Sequence, residues 1–230
     1  TNVSMFPHGI IPYEKINENI KNQYSINLKK INSKHFNIST FGFCLPSKGF
    51  PELIKAIDLA KKKGYYFNLN LYTAIYNFEY SYYPNELNVI INNLGLDNNV
   101  KIYTQYFSIK ESLDLLSKSD LIVFPYQESN ESSSAAVRHG ISTGIKVAVT
   151  PIPIFDDVSG MVEFLPGMSP EELSEGIINL YKKQFNKYLE TDELELINQK
   201  LTWVEHHQFR NLSMRLNSII QSIEKNHDST

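Results

Sequence analysis

Two short stretches hold the residues whose types and spacing could do chemistry. "PYQESNESSSAAVRHG", Pro125 to Gly140, follows the apolar run "DLIVFP" and turns into a helical pattern. It places Glu128 and Glu131 in a loop at the end of a buried strand. Three consecutive serines, Ser132 to Ser134, follow in what the pattern predicts as the first turn of a helix. Such a turn exposes unpartnered backbone N–H groups and the positive end of the helix dipole. It is a ready anion site, suited to phosphate, and small Ser and Ala side chains let an anion come close. The plainer alternative is that Asn130 or a serine simply caps the helix. In the second stretch, "FGFCLPSKGFPEL", Gly42 ends a strand and Lys48-Gly49 precedes a helix. Lys48 then falls at the same sheet edge as the serine turn, where it would neutralise part of a bound diphosphate. A solvated surface charge is the alternative for a lone lysine.

These residues need elements to position them, and the chain alternates. "HFNISTFGF" (His35–Phe43), "YYFNLNLYT" (Tyr65–Thr73), "NVKIYTQYF", "DLIVFPY" and "IKVAVT" read as strands. Between them, "GFPELIKAIDLAKKKG" repeats Leu53, Ile54, Ile57 and Ala60 at helical spacing. "NELNVIINNLG", "IKESLDLLSKS", "SSSAAVRHGISTG" and "SPEELSEGIINLYKKQ" complete the helices, with Gly64 and Gly95 as stop signals. Strand–helix alternation predicts an α/β fold, a doubly wound parallel sheet with helices on both faces. The nearly continuous apolar runs "DLIVFP" and "IKVAVT" suit its central strands. Ligands of such sheets bind outside the carboxyl ends of the strands, where both stretches fall.

The ends differ from the middle. "NVSMFPHGII" reads as a short extended segment leading into polar chain. "LTWVEHHQFRNLSMRLNSIIQSI" reads as one added long C-terminal helix, with Trp203 as a packing residue. His206 and His207 are neighbours and so do not share a helix face; they read as solvated. The expected division is 1–34 as hinge and N-terminal extension, 35–190 as a Rossmann-like domain, and 191–230 as a helical segment.

Composition excludes several function classes. The chain has 230 residues, 42% hydrophobic and 20% charged, with net charge −3. That suits a sizeable core, and without a basic stripe it gives no support for nucleic-acid binding. The single cysteine, Cys44, fits a reducing compartment. No apolar run approaches the ~20 residues of a membrane span. No Cys/His/Asp cluster has metal-ligand spacing, so no metal is expected.

The motifs resemble the C-terminal, nucleotide-sugar-binding domain of GT-B glycosyltransferases of the retaining group 1 (family 4) type. That family carries Gly-Arg-Leu, three variable residues and Lys-Gly after the first strand of this domain. The same register here reads Gly42-Phe43-Cys44, Leu45-Pro46-Ser47 and Lys48-Gly49. Its later signature is a Glu, seven residues and a second Glu, then a Gly before a strand; Glu131, His139 and Gly144 stand at matching distances. "MFPHGI" is similar to the family's hinge, and the Trp203 segment to its terminal helix, which packs on the N-terminal domain. Two positions depart: the diphosphate-binding Arg is Phe43, and the ribose-contacting Glu is His139. Arg138 either replaces the missing cation or is a helix-surface residue. Glu128 competes with Glu131, but its companion eight residues on is Ala136, so the register favours Glu131.

The resemblance implies a UDP- or GDP-linked sugar as substrate, with no cofactor. It puts Lys48 and Glu131 in the catalytic roles. Gly42, Phe43, Lys48, Glu131, Ser132, Ser133, Ser134, Arg138 and His139 would form the donor site. It also implies a glycan or lipid-linked acceptor, a role in bacterial surface-polysaccharide assembly, and a cytoplasmic place, peripheral to the inner membrane through the rest of the polypeptide. Too few residues precede His35 to build a second such domain, so the expectation is a donor half, inactive alone and missing its N-terminal GT-B partner. Two other classes compete: half of a nucleotide-sugar epimerase, and a degenerate domain kept for interaction.

Overall fold

The computed structural model describes residues 6–24, 36–185 and 192–227. Six parallel strands form one sheet: β1 (Phe36–Phe43), β2 (Phe67–Ala74), β3 (Val100–Tyr103), β4 (Leu121–Phe124), β5 (Val147–Val149) and β6 (Glu163–Phe164). Their order is β3-β2-β1-β4-β5-β6, so the direction of winding reverses between β1 and β4. The expected doubly wound α/β sheet is therefore present, with β6 as a short edge strand beyond the five expected.

Alternate strand residues feed two separate cores, as the period of two requires. Phe36, Ile38, Phe67, Leu69, Leu71, Leu121, Val123 and Ala148 join one buried cluster. Tyr72, Ile122, Phe124, Val147 and Val149 join the other. β4 and β5 are buried along their whole length, which explains why their sequences carry no polar alternation. Helices α2 (Phe50–Lys62) and α3 (Tyr83–Asn93) cover the first face, joined by the later α6 (Pro170–Phe185). Phe50, Leu53, Ile54 and Ile57 of α2 are buried there, each contributing about 1.5–3 kcal/mol of apolar burial. Helices α4 (Ile109–Leu116) and α5 (Ala135–Ser142) take the opposite side. Ser108 and Glu111 start α4 with a reciprocal capping box, a signal written in the sequence as Ser-x-x-Glu.

The ends are more structured than their polarity suggested. The polar chain after Ile10 contains a helix, α1 (Ile16–Tyr24). Ile16 and Ile20 bury its inner side, and the Asn19 side chain donates to the Thr143 carbonyl at 2.8 Å. The C-terminal segment is two helices rather than one: α7 (Asp192–His206) and α8 (Phe209–His227). The break is made by the N-terminal segment, since Ile10 N–H donates to the His207 carbonyl at 2.8 Å and Ile10 bridges Gln208. Trp203 is a packing residue, half-buried and stacked on His207 with ring centroids 3.9 Å apart. His207 is thus committed to packing, while His206 is exposed. Residues 1–5 and 25–34 of the expected N-terminal extension, and the expected boundary at 190/191, lie outside the described residues. No described helix is long and apolar enough to cross a membrane.

Candidate active site

At the carboxyl ends of β1, β2 and β4 the chain leaves the sheet, and a cavity of about 290 Å³ lies between the departing loops. It occupies the crevice where strand order reverses, the general ligand position of open α/β sheets. Phe41, Gly42 and Phe43 of β1, Tyr72 and Ala74 of β2, and Gln105 to Phe107 after β3 line one part. Tyr126, Glu131, Ser134, Ala135, Ala136 and His139 line the other, with Lys48 reaching in from the turn after β1. A shallower groove of about 700 Å³ runs along α7, past Glu195, Trp203 and His206. It is larger, but its described lining residues include no lysine or arginine, which makes the smaller cavity the candidate site.

Local backbone geometry explains how Lys48 arrives. Pro46 to Lys48 form a single 3-10 turn, and Gly49 takes a left-handed φ of 71° before α2 begins. The Gln127 N–H donates to the Ser47 carbonyl at 2.9 Å, which ties this turn to the segment after β4. A Cβ at Gly49 would stand 1.8 Å from the Pro125 carbonyl oxygen. The two loops meet at a contact that only glycine permits.

Lys48 Nζ lies 3.8 Å from the centroid of the Tyr126 ring. Burial holds its ammonium below the ordinary lysine value, and the nearby Glu131 carboxylate pulls it part of the way back. Lys48 is therefore not a freely solvated surface charge. Glu131 is exposed at the cavity wall, whereas Glu128 is not among the lining residues. The structure thus brings together Lys48 and the glutamate that the register favoured.

The serine turn needs a correction. Helix α5 begins at Ala135, and Ser134 is its N-cap, its Oγ accepting from the Val137 N–H at 3.3 Å. Ser132 and Ser133 lie outside the helix and do not line the cavity. Capping and anion site coexist here, with a serine rather than Asn130 as cap. The first-turn N–H groups of a helix have no intrahelical partner, and Ala135 and Ala136 carry that turn along the cavity.

Arg138 is likewise displaced from its expected place. Its side chain is 3% exposed and paired with Asp157. Its Nη1 donates to the Ser134 carbonyl at 3.0 Å and its Nε to the His8 carbonyl at 3.3 Å. It does not line the cavity; it clamps the N-terminal segment, the start of α5 and the 3-10 segment Pro153–Met161. Neither sequence reading of Arg138 anticipated this. Removing Asp157 strands a buried guanidinium, so Asp157→Ala is expected to cost about 3 kcal/mol, a fall in Tm of roughly 6–12 °C for a chain of this size. Thermal denaturation checks it; an unchanged Tm would show the clamp to be dispensable.

His139 lines the cavity beside Phe41, their rings edge-to-face at 5.5 Å. Burial holds its imidazole below the ordinary value, and His8 adds to the effect. Its buried Nδ1 has no hydrogen-bond partner among the described residues. Phe43, 40% exposed at the mouth, packs edge-on against Tyr76 at 5.1 Å. The aromatic segment "YTAIYNFEYSYY" supplies Tyr72 and Ala74 to the wall. Neither Tyr126 nor Gln105 to Phe107, the latter read as strand, was singled out from the sequence as a site residue. The only signal for Tyr126 was a bulky residue just past a fully apolar strand.

Comparison with solved structures settles the fold. A glycosyltransferase from Rickettsia africae superposes with a TM-score of 0.70 at 19% identity, over 97% of this chain and 57% of its own. The C-terminal domain of a group 1 family glycosyl transferase from Francisella tularensis matches 84% of this chain over 95% of that domain, with TM-score 0.59 and 16% identity. The fold is that of a GT-B C-terminal domain. The Anabaena protein HepE, solved in complex with UDP and glucose, shares this GT-B likeness with TM-score 0.63 and 18% identity, over 87% of this chain and 52% of its own. The chain thus spans little more than half the length of the Rickettsia and Anabaena proteins. No protein-family model matches the sequence, and no curated protein does.

Proposed function

We propose that the chain is the donor-binding half of a two-domain glycosyltransferase, holding a UDP- or GDP-linked sugar across the carboxyl edge of β1 and β4. The observation that carries this reading is the convergence of the Lys48 ammonium and the first turn of α5 on one cavity. An ammonium facing a helix N-terminus suits an anion and little else. The GT-B fold, and a relative of that fold solved with UDP and glucose, point the anion toward a nucleoside diphosphate.

In this reading the diphosphate rests on the Ser134–Ala136 turn and Lys48, and the sugar lies toward Glu131. As the bond from the anomeric carbon to the diphosphate oxygen breaks, its electron pair stays with the leaving diphosphate. Lys48 and the fixed N–H dipoles stabilise that growing charge without reorganising. Glu131 holds the donor through a sugar hydroxyl or the nucleotide. The acceptor oxygen bonds the anomeric carbon from the face the diphosphate leaves, and its proton passes to the diphosphate, so configuration is retained. His139, biased toward its neutral form, is placed to hydrogen-bond a ligand hydroxyl. The acceptor, a glycan or lipid-linked sugar of surface-polysaccharide assembly, would bind a second GT-B domain. Such an enzyme works in the cytoplasm, reaching the inner membrane through the rest of its polypeptide, and needs no metal or other cofactor.

One observation favours a second reading, a domain kept for interaction. Among the described residues lining the cavity, Lys48 is the only lysine or arginine, because Arg138 is committed to Asp157. Calorimetric titration with UDP, GDP and their sugars separates the two. Saturable binding of one nucleotide, weakened by Glu131→Ala, is the expected result; no binding to any of them would favour the interaction domain.

A further inference from the structure

We propose that Tyr126 is a positioning residue for the anion site, acting through Lys48. The inference rests on the donor-diphosphate reading above. Tyr126 is 1% exposed, and its ring is held between Phe155 at 5.1 Å and Phe124 at 6.1 Å. Its carbonyl accepts from Thr150 Oγ1 at 2.6 Å, so the backbone beneath the ring is pinned as well. Burial pushes its phenol up to about 12, and the ring stays uncharged under ordinary conditions. The result is a fixed aromatic surface at the floor of the cavity.

Lys48 uses that surface, with its Nζ 3.8 Å from the ring centroid. A lysine side chain loses much rotamer freedom when it is fixed. The ring imposes that order before any ligand arrives, so less of the cost falls on binding. The electron-rich ring face also offsets the burial that disfavours the ammonium. At its other end the Tyr126 hydroxyl stands 3.4 Å from Ser134 Oγ, the cap of α5. The ring face thus fixes the ammonium beside the start of α5, and both face the place of the diphosphate.

The test has two arms. Without ligand, NMR of the Lys48 side chain should show the methylene protons next to Nζ shifted upfield by ring current in the wild type and in Tyr126→Phe, but not in Tyr126→Leu. With UDP and GDP as probes, Tyr126→Leu should weaken the affinity about 5- to 30-fold, and Tyr126→Phe should bring it back near the wild-type value. In a Lys48→Ala background Tyr126→Leu should have no further effect, whereas a merely structural role would weaken both backgrounds alike. Equal losses in both backgrounds, or equal affinity of wild type and Tyr126→Leu, would overturn the proposal while leaving the donor reading intact. Unshifted Lys48 signals in the wild type would overturn it without any variant. Wild type that binds neither UDP nor GDP would remove the donor reading, and the proposal with it.

Discussion

Lys48→Ala is expected to weaken nucleoside-diphosphate binding by about 10- to 150-fold, the worth of one charge-assisted hydrogen bond lost from a site with a single cation. The size of the effect follows from that poverty. With Arg138 tied to Asp157 and Phe43 packed on Tyr76, no other lysine or arginine among the described lining residues can share the diphosphate charge. The helix terminus remains in the variant and preserves residual binding. The fold should persist, because the turn holding Lys48 is fixed by backbone hydrogen bonds, Lys48 N–H to Leu45 O at 3.1 Å and Gln127 N–H to Ser47 O at 2.9 Å. Calorimetry with UDP and GDP measures the loss, and a melting curve checks the fold. Wild-type affinity in a folded Lys48→Ala protein would mean that the anion is held elsewhere.

Gly49→Ala is expected to do more damage, through the backbone. The new methyl group would meet the Pro125 carbonyl at 1.8 Å and Gln127 Nε2 at 2.9 Å, at a residue whose φ is 71°. Left-handed strain and overpacking together cost roughly 2–5 kcal/mol, a fall in Tm of roughly 4–20 °C. The clash also forces the Lys48 turn away from Tyr126, so nucleotide affinity should fall with stability. Gly64→Ala is the informative control. Its φ is 86°, but nothing lies within 4 Å of the added carbon, so it should lose only about 1–2 kcal/mol of strain and keep its affinity. Equal Tm for Gly49→Ala and wild type would show that the two loops are not in close contact.

The parallel sheet was readable because "DLIVFP" and "IKVAVT" had to be buried on both sides, and β4 and β5 are. That Lys48 and Glu131 fall at one edge of the sheet was readable because strand ends and helix starts fix which edge of a doubly wound sheet a residue occupies. Arg138 was not, because helical spacing alone does not reveal an Asp157 nineteen positions away waiting in a 3-10 segment. The start of α5 was missed by three residues, since serine serves equally as cap and as first-turn residue. The break between α7 and α8 was hidden for a different reason. It is imposed by Ile10 pairing with His207 and Phe209, a contact between the chain's two ends that no local pattern encodes. Tyr126 escaped because a tyrosine after a buried strand signals burial, not the cation it supports.

Mapping backbone amide shifts during titration with UDP and GDP shows directly whether a nucleoside diphosphate sits between Lys48 and the start of α5. Saturable changes centred on Gly42, Ser134, Ala135, Ala136 and His139, the cavity's own residues, are expected. Saturable changes centred instead on the α7 groove around Asn198 to His207, or none with either nucleotide, would contradict that position.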